Sequence, residues 1–129
     1  MRLDKQLIDN LFEQARNNPR LRQNFDLRTS AGANSQRMLN ALLPGTEVAV
    51  HKHPMSNENV ILLVGKMDEI ICDAEGKEVE RIHLDPSTGN FGCVVPADTW
   101  HTVAVFEPSV IYEGKDGKYG EDGSVSLEY

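Results

Sequence analysis

Four residues carry the chemistry that this sequence can do with the least help. His51 and His53 stand two apart in the run EVAVHKHP, Glu58 follows across Pro54, Met55, Ser56 and Asn57, and His101 lies far downstream in PADTWHT. Side chains alternate along an extended chain, so His51 and His53 project to one side, about 6.5–7 Å apart along the backbone, while Val50 and Lys52 project to the other. That separation lets two imidazoles converge on one ion. Glu58 can add a carboxylate after a tight turn, and His101 a third imidazole from a later strand. Neutral imidazoles with one carboxylate suit a divalent transition metal (Fe, Mn, Zn, Ni, Co or Cu) rather than Ca or Mg, which favour oxygen. Four protein ligands in an octahedral site leave about two positions for water or substrate, as a catalytic metal requires. The expected metal ligands are therefore His51, His53, Glu58 and His101.

The elements that must position these residues are strands. From Arg37 onward the chain reads as short apolar runs, MLNALL, EVAVH, NVILLVG, EIICD, EVERIHL, FGCVVP, HTVAVF and SVIYEG, separated by Pro and Gly turn signals. Many short strands with regular turns predict an antiparallel sandwich or barrel. Asp73 to Lys77, with Gly76 free to take a positive φ, is the clearest hairpin turn. Ahead of the strands, Leu3, Leu7, Leu11 and Ala15, with Ile8 and Phe12, repeat at helical spacing behind a candidate cap, Asp4, and the helix should end before Asn17-Asn18-Pro19. Arg20 to Asn34 reads as an arm with one short strand near Asn24 to Leu27. The domain reading is residues 1–36 as helix and arm packed on a barrel of residues 37–129, in a single domain. The tail from Gly114 onward is expected as an exposed loop with a weak final strand. Val60 to Val64 is apolar without alternation, so both faces of that strand should be covered, one by the barrel interior and the other by the N-terminal helix, the second sheet or another subunit, of which a homodimer is favoured.

Composition limits the partners. The net charge of -7 argues against nucleic acid or an anionic membrane. The charge is uneven: seven Lys/Arg against four Asp/Glu through Arg37, and six against sixteen beyond it. The basic segment can complement the acidic body or form a rim for an anionic substrate. The charged N-terminal helix pattern is neither a secretory signal nor a membrane span, which predicts a cytoplasmic protein. Cys72 and Cys93 are then expected as free thiols.

The spacing resembles the first motif of the cupin superfamily: glycine, five residues, His-x-His, three or four residues, glutamate, six residues, glycine. Gly45, His51, His53, Glu58 and Gly65 fit every position. Of the second motif Pro96 and His101 fit, while Asn90, Asp98 and Val105 stand where it has two glycines and an asparagine. Within the cupins the chain is similar to the small WbuC-type proteins, which accompany O-antigen sugar genes. The similarity runs through Pro19 to Arg22, Gln36 to Thr46, His51 to Pro54, Pro96 to Thr102 and Tyr112 to Gly117. It implies a mainly β fold, an antiparallel double-stranded β-helix (cupin or jelly-roll barrel) with an N-terminal α-helix, that binds metal.

The reaction depends on wall residues outside the motif. Glu58 and Glu113 are the acid/base candidates. Arg37, Asn40, Tyr112 and Lys115 are the candidate substrate contacts. Strand alternation puts Glu113 and Lys115 together and Tyr112 opposite them, with a surface ion pair the expected fate of the two charges. Arg37 and Asn40 cannot share a face. Trp100 should pack opposite His101, and His83 should face solvent. The favoured function is sugar or sugar-nucleotide isomerisation or epimerisation in surface-polysaccharide biosynthesis. An Fe(II)-dependent dioxygenase and a non-catalytic metal- or ligand-binding module are the alternatives.

Overall fold

The computed structural model describes residues 1–127; residues 128 and 129, the end of the expected barrel segment, lie outside the described residues. The helical spacing of Leu7, Leu11 and Ala15 becomes α1, Lys5–Arg16. Its N-cap Asp4 accepts a hydrogen bond from the Leu7 amide at 3.1 Å, satisfying one of the donors that a helix start leaves open. Leu11 and Ala15 are buried against Leu39, Ala41, Leu43 and Val110, whereas Leu3, the outermost residue of the expected stripe, is exposed. The helix thus covers one face of the sheet described next.

Among the described residues eight strands follow: β1 (Arg22–Asp26), β2 (Ser35–Leu42), β3 (His51–Lys52), β4 (Glu58–Cys72), β5 (Glu78–Leu84), β6 (Gly92–Val95), β7 (His101–Asp116) and β8 (Val125–Ser126). They run β1-β2-β7-β3-β8, with β4 pairing β5, β6 and β7, and every pairing is antiparallel. The curled sheet encloses a core of Leu42, Val60, Leu62, Met67, Leu84 and Ile111. A smaller cluster of Val50, Ile70 and Cys72 takes Trp100 against it. Cys72 and Cys93 are both free thiols among the described residues, and burial raises both thiol pKa values, Cys93 to about 12. No helix among the described residues is long and apolar enough to cross a membrane.

Three differences from the sequence expectation have physical causes. The runs NVILLVG and EIICD form one strand, β4, and HTVAVF and SVIYEG form one strand, β7. The two pair from Asn59↔Gly114 to Ile71↔His101, with register shifts between Leu62 and Met67. Gly65 sits within that irregularity at φ +106, where a Cβ would come within 2.5 Å of the Pro108 carbonyl oxygen. Pro108 falls where the register skips, so its missing N–H interrupts no ladder bond. Both residues bend strands that they would otherwise end.

The run EVAVH shortens to His51–Lys52, while the Val48 carbonyl accepts from the Thr102 hydroxyl at 2.6 Å and the Val50 carbonyl from the Leu127 amide at 2.7 Å. Finally, Val60 and Leu62 are buried but Ile61 and Leu63 are 47% and 43% exposed. The alternation is real in space although both parities are apolar in sequence, and within one chain the outer face stays open.

The hairpin turn forms as expected. Asp73 and Lys77 close it backbone to backbone at 2.8 Å, Gly76 takes φ +83, and the Asp73 carboxylate accepts from the Glu75 and Lys77 amides.

Candidate metal centre

β3 and β7 meet at the pair His51↔His101, which puts two imidazoles side by side on one face. Their ring centroids are 4.2 Å apart, and His53 stands 5.1 Å from His51 and 5.4 Å from His101. Glu58, the first residue of β4, brings its Oε2 to 2.7 Å from His53 Nε2 and 3.6 Å from His101 Nε2. One ligand atom from each of the four residues lies within 4.8 Å of every other. The loop from Pro96 closes over this corner. Asp98, which stands where the cupin motif has a glycine, adopts the left-handed conformation at φ +61 that Asp tolerates better than most residues. Its amide donates to the His53 carbonyl at 2.9 Å and its carboxylate pairs with Lys52 at 2.8 Å, so the substitution keeps the turn.

Hydrogen bonds fix which nitrogen of each imidazole faces the cluster. His51 Nδ1 lies 2.8 Å from the Ala49 carbonyl and His101 Nδ1 lies 2.9 Å from the Thr99 carbonyl. A carbonyl can only accept, so both Nδ1 atoms carry the proton. His53 Nδ1 lies 2.6 Å from Ser124 Oγ, whose own hydrogen goes to Asp122 Oδ1 at 2.7 Å. The serine oxygen must then accept from His53. All three Nε2 atoms are thereby turned toward the cluster. His101 Nε2 is buried with no hydrogen-bond partner among the described residues.

These donors fit a cation. Burial, reinforced by His101, pushes His51 down to about 4, so its imidazole is neutral and able to ligate at neutral pH. Burial alone would raise Glu58, but the close approach of His101 and His53 holds it well below the usual carboxylate range. Two bare acceptors cannot meet at 2.7 Å, so a cation, either a shared proton or a metal ion, must sit between Glu58 Oε2 and His53 Nε2. A divalent ion with an N and O preference fills that place and serves all four donors at once.

The cluster lies in the wall of a cavity of about 530 Å³, a volume typical of small-molecule sites. Of the expected wall residues, the structure brings Asn40, Glu113 and Lys115 to this cavity and leaves Arg37 and Tyr112 out of it. The pairings Met38↔Glu113 and Asn40↔Ile111 set one parity of β2 and β7 inward. Tyr112 falls on the other parity and packs beneath α1, and Arg37 lines a separate pocket. Glu113 and Lys115 do not form the expected surface ion pair. Glu113 accepts from Asn40 Nδ2 at 3.5 Å, and the carboxylate near Lys115 Nζ is Asp122, at 3.9 Å. Burial, followed by the Glu58 charge, pushes Glu113 up to about 7. His83 is exposed as expected and meets Asp68 Oδ1 at 2.7 Å, and Trp100 lies against Lys52, whose Nζ is 4.8 Å from the ring.

Two features escape the sequence reading. Glu69 lines the cavity, 1% exposed, with one carboxyl oxygen unpartnered among the described residues. Burial, then Glu58 and Glu113, raises its pKa well above the usual value. Its signal is present in Met67-x-Glu69-x-Ile71, an acid on an apolar parity. The Asp122–Ser124 brace on His53 has no such signal. Gln36 Nε2 holds Asp122 at 2.8 Å across 86 residues of chain, and the tail that reads as exposed contributes a buried carboxylate.

Comparison with known proteins agrees with this architecture. Residues 3–84 match the model of a domain of unknown function (DUF6016). No curated protein matches. Among solved structures, an oxalate oxidase in complex with the substrate analogue glycolate superposes with a TM-score of 0.65 at 13% identity, over 85% of this chain and 57% of that one. Lactobacillus farciminis oxalate decarboxylase, in a formate complex, gives 0.60 at 16% identity, over 82% and 30%. A cupin 2 domain-containing protein from Halorhodospira halophila gives 0.61 at 14%, over 83% and 69%. The chain therefore spans 57% of the oxalate oxidase and 30% of the oxalate decarboxylase it resembles. Likeness at such identity shows the fold alone, and the fold is that of a cupin.

Proposed function

Because this chain belongs to the DUF6016 family, whose description assigns no activity, we propose its function from the site itself: metal-dependent isomerisation or epimerisation of a small carbohydrate, a sugar or sugar nucleotide. The observation that carries this reading is one cavity holding both the His51, His53, Glu58 and His101 donors and a separate carboxyl, Glu113. The similarity of the Pro96 to Thr102 and Tyr112 to Gly117 stretches to WbuC-type cupin metalloproteins supports a role in surface-polysaccharide biosynthesis.

In this reading the four clustered residues hold one divalent transition ion. When bound, the ion supplies Lewis acidity toward a substrate carbonyl or hydroxyl oxygen. Of the two acid/base candidates, Glu113 has the role, because the Glu58 carboxylate is turned to the histidines. A Glu113 oxygen takes the proton from the carbon beside the carbonyl as the C–H electron pair shifts toward that carbonyl. The same oxygen returns the proton to the former carbonyl carbon, while the hydroxyl proton of the adjacent carbon passes to the former carbonyl oxygen, which completes an isomerisation. A carboxyl near 7 suits both halves of that transfer at neutral pH. Asn40 orients it through the 3.5 Å contact, and the apolar floor of Leu42, Val103 and Ile111 limits water around it.

The test is solvent-hydrogen exchange. Metal-loaded wild type, incubated in D2O with aldoses, ketoses and their nucleotide derivatives, should introduce deuterium beside the carbonyl, followed by NMR. Glu113→Gln should retain metal and lose the exchange. Wild type that exchanges none of these compounds refutes the proposal; oxygen uptake by the Fe(II) form, or binding without turnover, would then favour the dioxygenase or the binding module. We further propose that the barrel and the N-terminal segment act as one cytoplasmic unit and that the open Ile61, Leu63 and Val64 face is covered in a homodimer. Light scattering that finds only monomer would refute the last point.

A further inference from the structure

Two cations on the cavity wall have no part in the scheme above. Arg20 and Arg22 flank Leu21, and both line the cavity that holds the metal-ligand cluster. The arginine ion pairs of the described residues use Arg16, Arg28 and Arg81 and leave these two out. Arg2 and Arg37 are likewise outside those pairs, but neither lines this cavity. Arg20 and Arg22 instead oppose each other: burial, then the charge of Arg20, lowers the Arg22 guanidinium, and the Glu113 carboxyl offsets this only in part. Adjacent like charges on a partly desolvated wall are unfavourable until an anion joins them.

The wall presenting them is fixed. Leu21 is held at φ +56, a conformation that branched side chains rarely adopt. Its amide donates to the Asn18 carbonyl at 2.9 Å and its carbonyl accepts from the Leu43 amide at 3.0 Å. The Arg20 amide donates to Asn18 Oδ1 at 2.8 Å, and the Arg20 carbonyl accepts from the Thr46 hydroxyl at 2.7 Å. The backbone is thus tied on both sides of the pair.

Charge changes sign from outside inward. Arg20 is exposed and Arg22 half-buried, whereas Glu58 and Glu69 are buried. A ligand matching that order carries its anion at the mouth and neutral hydroxyls toward the interior. Building on the carbohydrate reading, we propose that Arg20 and Arg22 form a phosphoryl-binding subsite for a phosphorylated sugar, either a monoester or a nucleotide diphosphate. A guanidinium offers paired donors in a planar fork that matches phosphoryl oxygens, and two such forks suit a dianion.

The test uses zinc-loaded protein and probes that do not depend on the sugar: inorganic phosphate and UDP, titrated calorimetrically. Wild type should bind at least one of them, and the Arg20→Gln/Arg22→Gln variant should bind it at least tenfold more weakly. Arg2→Gln should bind as wild type does. Preference for phosphate points to a monoester, and preference for UDP to a nucleotide sugar. If the double variant does not fold, Arg20→Gln alone, at an exposed side chain, should weaken binding at least threefold. Absence of binding to wild type, or equal affinity in the arginine variants, overturns the subsite. Zinc content and deuterium exchange are read separately, so loss of the carbohydrate reading is distinguishable from loss of the subsite.

Discussion

Replacing Ser124 by Ala tests whether the tertiary bracing of the histidines matters for metal binding. In the wild type Ser124 Oγ gives its hydrogen to Asp122 and accepts from His53 Nδ1 at 2.6 Å. The substitution removes the acceptor that, among the described residues, hydrogen-bonds the His53 Nδ1 proton and so turns Nε2 to the cluster. His53 is buried, so water is a poor replacement partner. Lost orientation of a ligating imidazole by its outer partner typically weakens metal binding 10- to 100-fold, or about 1.4–2.7 kcal/mol. Ser124→Thr keeps the hydroxyl and should recover most of the affinity. The measurement is chelator competition with Zn(II), with Co(II) absorption reporting the ligand set and thermal unfolding confirming the fold. A folded Ser124→Ala protein whose Kd stays within threefold of wild type would refute the reasoning, since the tautomer would then be set by the ion alone.

Three further outcomes are expected. Zn(II) at a free concentration 100 times its Kd should stabilise the protein by about 2.7 kcal/mol, or roughly 10 °C in Tm for a chain of this size, and His101→Ala should abolish that shift in a melting experiment. In metal-free protein, Glu69 keeps a proton that the unfolded chain releases above its ordinary value of 4.5, so its contribution to stability falls as pH rises through that value toward the raised native one. Glu69→Gln should therefore gain in Tm over wild type at pH 8 and lose most of that advantage near pH 4.5; a difference independent of pH would exclude a protonated Glu69. Gly65→Ala should destabilise by about 2–5 kcal/mol, combining the left-handed φ with a Cβ forced against the Pro108 carbonyl, and denaturant unfolding that finds less than about 1 kcal/mol would show that the β4–β7 crossing can relax.

Local spacing makes much of the candidate site legible. His51 and His53 share a face because strand alternation has a period of two, and Glu58 and His101 are recognisable as acid and imidazole at the ends of apolar strands. The helix is legible too, down to its Asp4 cap, because its stripe and its capping side chain interact within a few residues. The merged strands are not. Gly65 and Pro108 signal breaks locally, and only their placement at one irregular crossing of β4 and β7 turns those breaks into bends.

Alternation states which residues share a face but not which face is inside. By itself the sequence determined that Glu113 and Lys115 go together and that Tyr112 opposes them. That Glu113 and Lys115 face the cavity was decided by α1, which covers the other parity of β2 and β7 and packs against the half-buried Tyr112. The same holds for His53. Its place in the metal motif is written in five neighbouring positions, but its proton is placed by Ser124, and Ser124 by Asp122 and Gln36, which meet only when the tail folds back across the barrel. Relative orientation is a property of the extended backbone and travels with the sequence. Burial and hydrogen-bond partnership depend on which distant segments compete for a surface, and that competition is settled only in the folded chain.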